Sequence, residues 1–305
     1  MQQAPSQAST STAVAFGVAA LGIAMFSGMD ALMKLLSLQI GTYNALLWRT
    51  LASAVLAGAL FLAWRRPWPT APVMRVHLTR GLISVPMALL FFWGLARVPM
   101  AQAIALSFVA PLLSLYLAAV LLGEVIERRA LVASLLGFGG VLLIFAGQAQ
   151  ADLGRPALLG SLAILCSAGL YAYNIILMRR QALVAGPVDV AFFISTIMAG
   201  GFALAAPALA ELPGVEQLPA IVGGAVLAFG SLMLLSWAYA RAEAQHLAPV
   251  EYTSFIWAAM LGHLIFGEDV RPFTVAGAVL IVFGCLVAAR RRAPPDADVE
   301  AGLHA

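Results

Sequence analysis

Ser27, Asp30 and Lys34 follow one another at i, i+3 and i+7 inside an otherwise apolar run, so on a helix they share one face. Arg49 lies at a comparable depth in the next apolar run. Ionisable groups in an apolar medium cost several kcal/mol unless they are paired or wetted. The set therefore reads in one of two ways. Either Asp30 pairs with Lys34 or Arg49 and locks two helix ends, or the face is a polar wall that holds a carboxylate or an amine. Glu251 is a second isolated acid, read either as a proton-titrating group or as an interfacial carboxylate near Arg241 or His246. Asp30 and Glu251 are the two candidates for coupling to protons.

Other polar and aromatic side chains fall on recognisable faces. Ser107, Pro111 and Ser114 share one helix face, which either lines a cavity or permits close helix packing. Pro111 and Pro249 can free backbone carbonyls and let their helices bend. Tyr171 and Asn174 share a face, and an amide has no reason to meet lipid. Tyr252 and Trp257 have rings suited to stacking on an aromatic solute. Trp93 and Trp237 read either as members of an interfacial belt or as gate residues. His263 is expected at an interface.

The elements that must position these groups are membrane spans. Of 305 residues, 62% are hydrophobic and 10% charged, whereas a soluble domain carries about a quarter charged residues. Ten apolar segments approach the ~20 residues that a bilayer requires, at about 14–36, 43–63, 79–96, 101–122, 130–147, 158–177, 188–207, 220–240, 247–266 and 273–289. Residues 1–12 are polar and lack the basic start of a secretory signal, so a disordered tip leading into an uncleaved first helix is expected, with a disordered tail at 293–305. Placing the N-terminus in the cytoplasm puts Arg65, Arg66, Arg75, Arg80, Arg128, Arg129 and Arg290 on that side. Lys34, Arg97, Arg155 and Arg271 remain on the other, which favours N-in, C-in.

The chain also repeats itself. Residues 96–142 lie on 240–286 without a gap, placing Trp93 on Trp237, Arg97 on Arg241, Gly123-Glu124 on Gly267-Glu268 and Gly140 on Gly284, an offset of 144 (237 − 93). Two units are expected, 13–148 and 149–292. Five spans per unit is odd, so the second copy enters upside down, with Glu124 cytoplasmic and Glu268 external. Such inverted repeats are frequent in secondary transporters, whose sites lie near the midplane.

With these features placed, the chain resembles the drug/metabolite transporter superfamily in its EamA-type branch. The resemblance rests on the stretch from Ala101 through Pro111 to Gly123-Glu124 and on that from Pro249 to Gly267-Glu268. Within the branch it is similar to the YddG-type aromatic amino-acid exporters. The resemblance implies an all-α integral membrane protein of ten helices, with a central cavity lined by helices one to four of each half and a peripheral fifth helix. The expected activity is export of small metabolites, amino acids above all, by alternating access. An uncoupled facilitator or channel is the alternative.

The expected cavity set is Asp30, Lys34, Arg49, Trp93, Ser107, Pro111, Tyr171, Asn174, Trp237, Glu251, Tyr252 and Trp257. No catalytic residue, cofactor or metal is expected. Cys166 and Cys285 offer no ligand spacing, and phosphate-loop, zinc-protease and serine-hydrolase signatures are absent. The expected partners are a small-molecule substrate and the lipid bilayer, without nucleic acid, for a monomer or weak homodimer. Arginine and alanine richness associates with GC-rich bacteria, which makes the bacterial cytoplasmic membrane the expected location.

Overall fold

The computed structural model describes residues 12–122, 128–150, 154–239, 241 and 250–289. These residues form helices joined by short connections. The helices are α1 (Thr12–Ala63), α2 (Ala71–Leu95), α3 (Met100–Ser107), α4 (Val109–Leu122), α5 (Arg128–Gln150), α6 (Gly154–Ala182), α7 (Pro187–Ala203), α8 (Ala206–Leu209), α9 (Leu218–Tyr239), α10 (Thr253–Phe266) and α11 (Pro272–Ala289). A 3-10 turn, Val215–Gln217, precedes α9. Four stretches are long and apolar enough to cross a membrane, Val14–Ala63, Ala71–Leu95, Gly154–Met178 and Val215–Tyr239, and shorter apolar helices accompany them.

Three local features set the architecture. Gly41 breaks α1 into two arms with φ 78° and ψ 150°, a region open in practice to glycine alone. No atom lies within 4 Å of the position a Cβ would take there, so backbone geometry and not crowding reserves the site. Second, α2 starts at Ala71, two turns before the 79 that hydropathy suggests, because Pro72 suits a first turn and polar His77 and Arg80 are carried inside the helix. Third, the segment 101–122 is interrupted at Phe108. Pro111 has no N–H to offer the Ser107 carbonyl, and the helix restarts as α4. Pro249 and Gly123-Glu124 lie outside the described residues.

The buried core runs through Met33, Leu36, Leu46, Leu95, Met100, Leu106, Ile144, Ile164 and Ile281. Large side chains such as Val55, Leu62, Leu135, Leu264 and Val279 face outward, the apolar surface that lipid covers. The first arm of α1 packs along α9, α2 along α6, α5 along α11 and the second arm of α1 along α7, while α3 meets α10.

Glycine allows the closest of these approaches. A Cβ on Gly94 would sit 2.5 Å from the Gly160 carbonyl oxygen and 2.6 Å from Ile164. At the α5–α11 crossing, a Cβ on Gly140 would meet the Gly277 oxygen at 2.6 Å, and one on Gly277 would meet the Gly140 oxygen at 2.6 Å. Gly94→Ala is therefore expected to destabilise by about 1–3 kcal/mol through overpacking. Gly169→Ala, with nothing within 4 Å of its Cβ position, should be neutral or mildly stabilising. Thermal unfolding of the detergent-solubilised protein checks both.

Candidate functional site

One end of the bundle is closed by a single carboxylate. Helix α10 ends in a left-handed Gly267, φ 66°, whose N–H bonds the His263 carbonyl at 3.0 Å while the Glu268 N–H bonds that of Gly262 at 3.1 Å. This turn swings Glu268 back over Gly262, where a side chain would block it. The Glu268 carboxylate then binds Lys34 through Oε1 and accepts the Met100 backbone N–H through Oε2 at 2.7 Å. Met100 opens α3, so the acid also caps a helix N-terminus. Lys34, 3% exposed, donates its other bond to the Val98 carbonyl at 2.6 Å and lies 5.2 Å from the Phe266 ring. The ion pair of Lys34 is thus made with Glu268, 234 residues away, and not with Asp30.

Deeper in the bundle the charges lack hydrogen-bond partners. Asp30 is 1% exposed, and neither carboxylate oxygen accepts a hydrogen bond among the described residues. The Nε of buried Arg49 and the hydroxyls of Ser27, Ser53 and Ser231 are also without partners. Asp30 and Arg49 feel one another's charge, yet they form no contact ion pair. Arg49 and Ser53 line a hollow of about 60 Å³ closed by Ser195, Phe229 and Leu232, room for about two waters. Unsatisfied buried polar groups each carry a penalty of about 1–3 kcal/mol, more for charges.

Toward the other end an acid meets a phenol. The Tyr239 hydroxyl donates to Glu251 Oε1 at 2.7 Å. Tyr252 sets its ring edge-on to Phe108 at 5.3 Å. The Cys285 thiol donates to the Phe108 carbonyl at 3.3 Å, satisfying an oxygen at the α3–α4 break. Arg241 lies on the Trp237 ring, and His246 lies outside the described residues; among the described residues the partner of Glu251 is a phenol.

Asn174, 2% exposed, is held between α2 and α6: its amide donates to the Ser84 hydroxyl at 3.0 Å and its oxygen accepts from Arg80 Nε at 3.0 Å. Arg80 also donates to Gln181 Oε1, and Gln181 Nε2 meets His77 Nδ1 at 2.6 Å. Sequence reading took Arg80 as a loop charge and passed over His77 and Gln181. The spacing 77, 80, 84 repeats the i, i+3, i+7 pattern of 27, 30, 34 and was the available signal. Nearby, Arg66 grips Asp189 with both ends of its guanidinium, at 2.9 and 2.5 Å.

The remaining expected residues are placed as follows. The Ser107 hydroxyl bonds back to Ala103 at 3.0 Å, and partly buried Pro111 marks the break. Trp93 carries the Arg97 guanidinium on its ring face at 3.6 Å, and Trp237 carries that of Arg241 at 4.3 Å. Each arginine also donates to its own tryptophan's carbonyl, at 2.8 and 3.2 Å. Trp237 and Trp257 pack against the cluster of Ala15, Ala19, Ile23, Ala238 and Val250.

Comparison with known proteins adds five findings. The profile of the EamA-like transporter family matches residues 13–146 and again 158–290. The chain is similar to the pseudopaline exporter CntI of Pseudomonas aeruginosa, 24% identical over 287 residues that cover 90% of this chain and 95% of that one. It is similar to the S-adenosylmethionine uptake transporter of Rickettsia bellii, 25% identical over 86% of this chain and 88% of that one. The riboflavin transporter of Rhizobium johnstonii is 28% identical over 69% of this chain and 68% of its own length. A crystal structure 22% identical in sequence shares the fold with a TM-score of 0.59, covering 91% of this chain and 96% of its own.

Proposed function

The chain belongs to the EamA-like transporter family and is a small-molecule transporter of the membrane, not an enzyme; from that premise we propose an alternating-access exporter of amino acids, aromatic or neutral, in the bacterial cytoplasmic membrane. In this reading ten spans form two inverted five-helix units, 13–148 and 149–292, N-in and C-in. The two arms of α1 count as two spans and α3 with α4 as one. Pairing is then conserved when each span is exchanged for the one five later: the first with the eighth becomes the sixth with the third, and the fifth pairs with the tenth. The matched arginine-on-tryptophan stacks at Trp93 and Trp237 support the same repeat.

The observation that supports the substrate assignment is that Asp30 and the Nε of Arg49, each within the other's field, are both buried without a hydrogen-bond partner among the described residues. An ammonium satisfies the first and a carboxylate the second, so a zwitterion fits both. Glu251, bonded by the Tyr239 hydroxyl, and the Tyr252 ring set against Phe108 are the groups this reading assigns to the substrate path. The Lys34–Glu268 contact holds the far end shut in this conformation.

Two measurements test the reading. Proteoliposomes preloaded with phenylalanine or leucine are expected to release it faster than empty-protein controls under an imposed proton gradient. No gain for any amino acid overturns the substrate assignment. Single cysteines at positions 124 and 268 are expected to react with an impermeant reagent from opposite faces, and labelling from one face overturns the inverted repeat.

A further inference from the structure

A second cavity, of about 580 Å³, lies near the Arg66–Asp189 grip and shares no lining residue with the Arg49–Ser53 hollow. Arg66, Trp68, Thr70 and His77 wall one side, and Gly186, Asp189 and Phe193 the other. The volume is that of an ordinary small-molecule site. Its walls are aromatic: Trp68 meets Phe193 edge-on at 5.4 Å, Phe193 stacks on His77 at 4.6 Å, and Phe61 backs both.

The polar atoms of this cavity are mostly donors. Gln181 turns its oxygen to Arg80, so the nitrogen that faces His77 Nδ1 is an NH2 and can only donate. Nδ1 therefore accepts, and the proton of His77 sits on Nε2. That Nε2–H is buried and has no partner among the described residues. The Thr70 hydroxyl, at the start of α2, makes no capping bond. Arg66 spends Nε and one terminal nitrogen on Asp189, and Nη1 takes no part in the pair. Both Asp189 oxygens are occupied, one of them also by the Gly186 N–H at 3.2 Å. The grip is neutral as a pair, and exposed Arg65 and Arg75 flank it in sequence.

We propose that this cavity is a peripheral binding site for a planar aromatic carboxylate, whose ring lies on the exposed indole of Trp68 and whose oxygens accept from His77 Nε2–H, the Thr70 hydroxyl and Arg66 Nη1. The site is separate from the Arg49–Ser53 hollow and from Asp30, and its occupancy does not require transport.

The test is equilibrium binding of tritiated indole-3-acetate to the purified full chain in detergent. Wild type and Asp30→Asn are expected to bind alike. Trp68→Ala should abolish binding. His77→Phe, which keeps the stack on Phe193 but removes the donor, should weaken it about tenfold. His77→Gln, which restores an N–H near the Nε2 position, should recover part of the loss. Cyclohexylacetate should compete at least about tenfold less well than indole-3-acetate, for want of a ring face. Equal affinity across the Trp68 and His77 variants overturns the proposal, as does loss of binding in Asp30→Asn. Competition by glycerol phosphate as strong as by the aromatic acid reassigns the cavity to lipid headgroups and also overturns it. Circular dichroism and size exclusion confirm that each variant is folded.

Discussion

Asp30→Asn is expected to make the protein more stable and to stop transport. Both Asp30 oxygens are buried without a hydrogen bond among the described residues, and the Arg49 Nε is likewise unanswered. A group kept in that condition destabilises the resting protein, so neutralising it should raise stability by about 1–3 kcal/mol. Transport should fall by about a hundredfold, because a bound ammonium would lose the only charge set against it. Thermal unfolding in detergent and flux in proteoliposomes, on the same preparation, read the two effects. The opposite pair of results, lower stability with flux intact, would make Asp30 a structural partner of Arg49.

Glu268→Gln carries the second large effect. Lys34 is 3% exposed, and once the acid is an amide it can still donate to that amide's oxygen and to the Val98 carbonyl but has lost its counter-charge. Removing one member of a buried pair typically destabilises by about 3–5 kcal/mol, because the remaining charge is stranded. The end that this contact closes should then open, and an impermeant thiol reagent should reach a cysteine placed at Met33 at least about tenfold faster. Adding Lys34→Met removes the stranded charge and should recover most of the stability while leaving that end open. A Glu268→Gln protein with unchanged unfolding and unchanged labelling would show that the contact is incidental.

Membrane character, helical class and transporter family were legible in the chain because each rests on local or periodic information. Apolar runs near bilayer length announce spans, and Trp93 with Arg97 and Trp237 with Arg241 announced a repeat whose two copies make the same stack. Pro111 announced the break at Phe108. What sequence withheld was which faces meet. Glu268 was visible as a repeat anchor, but nothing near it in the chain names Lys34, since their meeting depends on the fold of every helix between them. Glu251 had two basic candidates nearby; among the described residues its bond comes from Tyr239, which no local pattern names, and His246 lies outside them. His77 and Arg80 were hidden for a different reason: averaging hydropathy over a window starts α2 after its polar first turns, and the helix in fact begins at Ala71.

The bare crossing of α5 and α11 constrains how the protein can move. Main chain touches main chain there, with the Gly140 and Gly277 oxygens each filling the space a side chain would take on the other helix. No layer of adaptable side chains separates the pair, so neither helix can glide past the other without collision. The crossing becomes a fixed point for this helix pair, and any change in the angle between the two must show as a displacement that grows toward their ends.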